Sequence, residues 1–220
     1  MITLALDAST YRGSVAILDD TRVLIQSTVA MRGRDREMLM PAVAEAVQSV
    51  GATFQSLDRV VCGAGPGSFT SLRIAASIAK GVAVGRSIPL FAISSLALIV
   101  AGNVTDGPRG PRRYLAVLDA LRGECFVAEF EHHEGAVRQV TPVRLITSDE
   151  VETLASADHA RAVGPDQRDH WLPHARGTAL LLDEILAVGS VDVASWEPVY
   201  GRLAEAQVKW EAAHGRALPS

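Results

Sequence analysis

The feature that most constrains this chain is a helix with too little polar surface. Residues 69–84 follow a short apolar run, Val60-Val61-Cys62, and the turn Gly63-Ala64-Gly65-Pro66-Gly67-Ser68. Projected at about 100° per residue, they place Arg73, Ser77 and Lys80 on one narrow polar stripe. Leu72, Ala76, Ala79 and Ala83 line one apolar face, and Ile74, Ile78 and Val82 line an adjacent one. A surface helix needs a single apolar stripe of somewhat over ~100°, and this one has nearly twice that width. Either its own fold encloses it, or its second face meets another protein.

The surrounding pattern is α/β. Ile2, Leu4 and Leu6 alternate with Thr3, Ala5 and Asp7 as in a half-buried strand, and Val15–Leu18 and Val23–Ile25 complete a three-stranded meander. Asp35 is placed to cap a first helix, with Glu37 in its first turn. Leu39, Val43, Ala46, Val47 and Val50 form its apolar stripe, and Gly51 stops it. Pro89–Ile93 reads as the next strand, and Ser94 or Ser95 as the cap of a short helix.

Two prolines and two glycines between Thr105 and Arg113 break the pattern. Beyond them Tyr114–Leu118, Cys125–Phe130 and Val137–Ile146 read as strands. Thr147-Ser148-Asp149-Glu150 reads as a capping box, and Thr178–Val188 as a helix. Each half opens with a strand ending in aspartate, Asp7 and Asp119, followed by a turn and another strand. We therefore expect a duplicated α/β unit with domains over 1–104 and 105–220. The apolar Pro198-Val199-Tyr200 is expected to return to the first domain.

Composition narrows the function. The 220 residues are 48% apolar and carry a net charge of −4, which argues against disorder and against gripping RNA unaided. Cys62 and Cys125 lie in apolar runs without metal-ligand spacing and read as buried thiols. The N-terminus lacks a secretory pattern and no apolar run is long enough to span a bilayer, so a cytoplasmic protein is expected.

Two segments suit phosphate chemistry. The strand-to-turn Asp7-Ala8-Ser9-Thr10 offers a carboxylate and hydroxyls, and Gly65, Gly67 and Ser68 open a helix where anions bind readily. Both also serve as ordinary tight turns. The glycine turn is neither a Walker loop, having no Gly-Lys-Ser/Thr, nor a dinucleotide fingerprint. His170 and His174 have the spacing of a zinc helix, but Pro173 between them favours a loop with two surface histidines. No nucleophile–base set and no metal site declare themselves.

The string GAGPGSFTSLRIAASIAKGVAVG, with IPLFAISSLA after it, closely resembles the bacterial TsaB (YeaZ-like) family of tRNA threonylcarbamoyladenosine biosynthesis proteins. LALDAST, LDALRGECFVAEF and Glu197-Pro198-Val199-Tyr200 resemble further family segments in the same order. Departures are Ser71 for a usual glycine, Leu121 for a usual arginine, Arg34-Asp35-Arg36-Glu37 for Arg-His-Ser-Glu, and a tail from Arg202 to Ser220.

The resemblance implies a two-lobed actin-like ATPase (ribonuclease H-like) fold with a degenerate nucleotide cleft, and no catalytic residue, metal or cofactor of its own. Asp7, Ser9, Thr10, Gly65, Gly67 and Ser68 would be its vestigial phosphate-loop positions. It also implies a scaffold that pairs through N-terminal helices with TsaD, the catalytic threonylcarbamoyl transferase. TsaE joins the pair, tRNA is met only through the complex, and the chain in isolation is left open as either a homodimer or a monomer. We expect Met38, Ile74, Ile78 and Val82 at that interface. The competing expectation is a small ATPase or phosphotransferase using Asp7 and the glycine turn.

Overall fold

The computed structural model describes residues 1–31, 37–104 and 112–200. Among the described residues ten strands form two sheets. The first contains β1 (Ile2–Asp7), β2 (Arg12–Asp19), β3 (Arg22–Ala30), β4 (Arg59–Gly63) and β5 (Leu90–Ile93), in the order β3-β2-β1-β4-β5. The meander is antiparallel, whereas β4 runs parallel to β1 and β5 parallel to β4.

The second sheet repeats this plan. β6 (Arg112–Asp119) and β7 (Glu124–His133) are antiparallel, and β10 (Arg161–Val163) lies parallel to β6 on the other side. β8 (Ala136–Gln139) and β9 (Arg144–Thr147) both pair with the outer edge of β7. The expected single strand over 137–146 is thus two. Val140 N–H bonds the Glu129 carbonyl at 2.7 Å, and Thr141 Oγ1 accepts from Glu129 N at 2.9 Å. That side-chain intrusion, with Pro142 lacking a donor, swells the ladder between the two strands.

Five α-helices among the described residues complete the layers: α1 (Leu39–Ser49), α2 (Phe69–Arg86), α3 (Ser95–Ala101), α4 (Glu150–Ala157) and α5 (Thr178–Val188). The alternation of strand side chains decides which layer each helix joins. Leu4, Leu6, Val15, Ile17, Val60 and Cys62 meet α1 and α2 on one face of the first sheet. Ala5, Ala16, Leu18, Val61 and Phe91 face the other way, into a core completed by α3, α5 and the inner face of the second sheet. Leu115, Val117, Cys125 and Val127 turn outward to α4. All seven residues of α3 are buried, as suits a helix apolar on every side.

Local signals differ from expectation in instructive ways. Asp35 lies outside the described residues, and α1 instead begins after Met38. Glu37 supplies the cap, accepting from Leu39 N and from Met40 N. Glu150 Oε2 accepts from Thr147 N at 2.8 Å and Thr147 Oγ1 at 2.7 Å, so the Thr147–Glu150 pair forms, with Asp149 as the residue flanking α4. His170 is exposed in a loop, but His174 is half-buried against Gly102, and burial holds its imidazole below the usual pKa.

A single hydroxyl ties β2 to the loop before α5. Ser14 Oγ accepts from Ala175 N at 2.9 Å and donates to the Pro173 carbonyl at 3.4 Å, with Ser14 itself 1% exposed. Ser14→Ala leaves a buried donor and a buried acceptor without a partner. It should lower unfolding stability by about 1–3 kcal/mol, read from denaturant titration followed by circular dichroism.

Candidate functional site

The two suspected phosphate turns meet at the C-terminal ends of β1 and β4. Asp7 closes β1 with 0% exposure, and its carboxylate is occupied. Oδ1 accepts from Ser9 N at 3.0 Å and Ser9 Oγ at 2.8 Å, and Oδ2 accepts from Ser95 Oγ at 2.6 Å. These donors are neutral. Burial therefore outweighs them and raises the Asp7 pKa above the usual carboxylate range, while each hydrogen bond pulls it back. Thr10 Oγ1 is spent on a local turn, donating to the Arg12 carbonyl at 3.1 Å and accepting from Arg12 N at 3.2 Å.

The glycine turn is bound to the first one. Ser68 N–H donates to the Ser9 carbonyl at 2.7 Å, and a side chain on Gly67 would lie 2.2 Å from that oxygen. Gly65 N–H donates to Ser95 Oγ at 3.0 Å, and Gly65 and Gly67 have φ of +88° and +158°. Ser68 flanks α2 without capping it through its side chain, and its hydroxyl donates instead to Ser71 Oγ at 3.2 Å. Ser71, where a glycine is usual, thereby accepts a hydrogen bond in the first turn of α2.

The chain's own C-terminal segment closes the mouth of this turn. Val199 N–H donates to the Ala64 carbonyl at 2.7 Å, and the Val199 carbonyl lies 2.4 Å from where a Gly65 side chain would start. Tyr200 stacks obliquely on Phe69 with centroids 4.5 Å apart, and Lys80 lies over the Trp196 ring at 5.8 Å. Val191 N–H reaches the Leu90 carbonyl at 2.8 Å, beginning this return along β5. A nucleotide phosphate with its magnesium needs free amides and a free carboxylate edge. Here the amides of Gly65 and Ser68 and all three described acceptor sites on Asp7 face protein partners, so the arrangement does not fit that group.

The second suspected surface lies on α2 beside this seal and shares Phe69 with it. Ile74 and Ile78 are half-buried, and with Glu37, Phe69, Thr70, Arg73 and Ser77 they line a shallow groove of about 480 Å³. Arg73 leans over the Phe69 ring at 5.3 Å. Met38, half-buried, stands just before α1, which packs beside α2 on the same sheet face. Val82 does not join this surface. It is 8% exposed and sits in the chain's own core, because its helical position turns toward the sheet with Ala75 and Ala79. The wide apolar surface of α2 thus has three users: the sheet, the 191–200 segment and the open groove.

Sequence reasoning missed Ser95 as the link between Asp7 and Gly65, having read it only as a helix cap. It also missed the seal made by Val199, whose only sequence signal was the apolar Pro198-Val199-Tyr200. Asp119 makes the same turn as Asp7, accepting from Leu121 N at 2.8 Å, yet it is exposed. Leu121 is left 65% exposed with φ +64°. Among the described residues no group of three or more His, Cys, Asp or Glu is gathered to hold a metal.

Two sheets of matching topology, each starting with a strand that ends in an aspartate turn, define a protein of the actin-like, ribonuclease H-like class. A family model described as "TsaD: tRNA N6-adenosine threonylcarbamoyltransferase" matches residues 31–166. The TsaB protein of Bacillus subtilis is 29% identical over 96% of this chain and 98% of its own length. The Escherichia coli TsaB is 32% identical over 62% of this chain and 58% of its own length. The solved structure of YeaZ from Pseudomonas aeruginosa superposes with a TM-score of 0.77 at 26% identity, covering 90% of this chain and 99% of that one. The chain belongs to the family of that model, and within it to the TsaB (YeaZ) proteins.

The crowding around Asp7 gives two measurable expectations. A side chain on Gly63 would lie 1.9 Å from Asp7 Oδ2. Gly63→Ala should therefore cost about 1–3 kcal/mol of stability by overpacking, seen as a lower denaturant midpoint. Asp7→Asn keeps the shape and removes the charge. Because the folded pKa is raised, the folded state holds its proton more tightly, and wild-type stability falls as pH climbs from about 3.9 through the raised value. Thermal melts at pH 4 to 8 should show Asp7→Asn gaining on wild type as pH rises, and a constant gap would refute this assignment.

Proposed function

We propose that this protein is a non-catalytic scaffold subunit of the assembly that forms N6-threonylcarbamoyladenosine next to the anticodon of tRNAs. Its partner is the TsaD-type transferase, which carries the chemistry, with the TsaE-type ATPase joining the pair in the cytoplasm. The observation that carries the reading is the closed junction of Asp7, Ser9, Gly65, Ser68 and Val199. Groups that would cradle a phosphate are bonded to one another, which leaves the fold as a support. The alternative, a small ATPase or phosphotransferase using Asp7, would need that junction to open and Val199 to leave.

The groove between Glu37 and Ile78 is the proposed contact with the transferase, and with a second copy when the transferase is absent. It joins half-buried isoleucines to an exposed arginine and serine, the mixture of apolar centre and polar rim that protein interfaces use. Net charge −4 supports a tRNA contact made through the complex.

Reconstitution from purified proteins tests the whole reading. Omitting this chain should abolish threonylcarbamoylation, and the chain alone should neither hydrolyse ATP nor modify tRNA. Turnover by the chain alone that disappears in Asp7→Ala would establish the enzyme reading instead. For the surface, Ile78→Asp would bury an unpaired charge on association, costing about 3–5 kcal/mol and weakening transferase binding at least a hundredfold. Since Ile78 also touches the core, Ser77→Arg, at an exposed position, supplies the control. Both variants should keep the wild-type circular dichroism spectrum and lose the transferase in a pull-down. Normal binding by both would remove this groove from the interface.

A further inference from the structure

Phe69, the first residue of α2, is a wall of the groove, yet among the described residues it belongs to none of the three apolar clusters. Two other groups hold its ring. Tyr200 lies against it with centroids 4.5 Å apart and the planes inclined by 49°, and the Arg73 guanidinium lies over it at 5.3 Å. The Tyr200 hydroxyl feels the same arginine. Burial raises its pKa, Glu197 adds to the rise, and Arg73 opposes it. Tyr200 itself does not line the groove.

The position of Tyr200 is set by the segment that carries it. Val191 N–H on the Leu90 carbonyl and Val199 N–H on the Ala64 carbonyl pin this segment near its two ends, and Val191, Val193 and Trp196 pack on the core beneath α2. Val199 is 62% exposed, so its backbone rather than its side chain makes the attachment. We propose that the 191–200 segment shapes the partner-binding groove, with Tyr200 as the positioning residue that holds the Phe69 wall. Seating of the segment on the glycine turn and binding at the groove are then coupled, although no ligand touches both. The size follows from the contact, since an inclined aromatic pair changes an equilibrium by up to about tenfold. By linkage, a partner in the groove holds the segment closed by the same factor.

The Tyr200–Phe69 contact is a property of this chain alone, whereas its effect on binding rests on the transferase reading above. Two readouts keep these apart. In the chain labelled with fluorophenylalanine, fluorine NMR reports the Phe69 ring, whose signal is identified by its loss in Phe69→Leu. Tyr200→Ala defines the position of that signal without the contact. Val199→Pro, which removes the pinning N–H, should move the signal toward that position, and Val199→Ala, which keeps it, should not. A signal unmoved by Val199→Pro would overturn the proposal. In titrations with the transferase, Tyr200→Ala and Val199→Pro should each weaken binding about tenfold at an unchanged circular dichroism spectrum, and Tyr200→Phe should bind as wild type. The double variant should bind no worse than Tyr200→Ala, and Tyr200→Ala should cost nothing further in Phe69→Leu, because each acts through the next. Additive losses, or full binding by Tyr200→Ala, would overturn the positioning role. Absence of binding by the wild-type chain would count against the function proposed above, and the fluorine signal would still decide whether the segment holds the wall.

Discussion

A carboxylate with no exposed surface holds this fold together at its most crowded point. Asp7 joins the end of β1 to its own turn through Ser9, and to the start of α3 through Ser95. Ser95 in turn receives the Gly65 amide, and Gly63 must lack a side chain for the carboxylate to sit where it does. The helix placed between the sheets, the glycine turn and the central strand are thus fixed by one group. A buried carboxylate is costly, and neutral donors offset only part of that cost. The raised pKa of Asp7 records the remainder.

The same junction carries the proposal that this chain serves as a support. A phosphate-binding turn keeps amide hydrogens unpaired until the ligand arrives. In this chain the Ser68 amide is paired with the Ser9 carbonyl and the Gly65 amide with Ser95 Oγ, while the Ala64 carbonyl accepts from Val199 N–H.

Periodicity made most of the architecture legible. The alternation in β1, the stripe in α1 and the limits of α5 follow from side-chain spacing and end signals, because in these elements local preference and tertiary packing agree. It failed where the two part company. The 137–146 run looks continuous, yet Thr141 and Pro142 break it, an effect of a hydroxyl reaching across the ladder that no period records. The expected cap Asp35 lies outside the described residues, and Glu37 caps α1. At the site, the sequence displayed Asp7 and the glycine turn, but not that Ser95 and Val199 would occupy them, since both contacts join residues far apart in the chain. The excess apolar width of α2 was visible, and the division of that width was not. Val82 belongs to the core, and Ile74 and Ile78 line the groove.

The core between the sheets bears on how this molecule comes apart. Ala5, Ala16, Leu18, Val61 and Phe91 from the first sheet share it with Tyr114, Ala116, Leu118, Phe126, Ala128 and Phe130 from the second, around the wholly buried α3. Separating the sheets would wet all of these side chains at once, at about 25 cal/mol for each Å² of apolar surface. Each sheet also keeps a core on its other face, the first against α1 and α2 and the second against α4, so the shared core is what couples the two halves. The amides of α3 should therefore exchange with solvent only when that shared core opens.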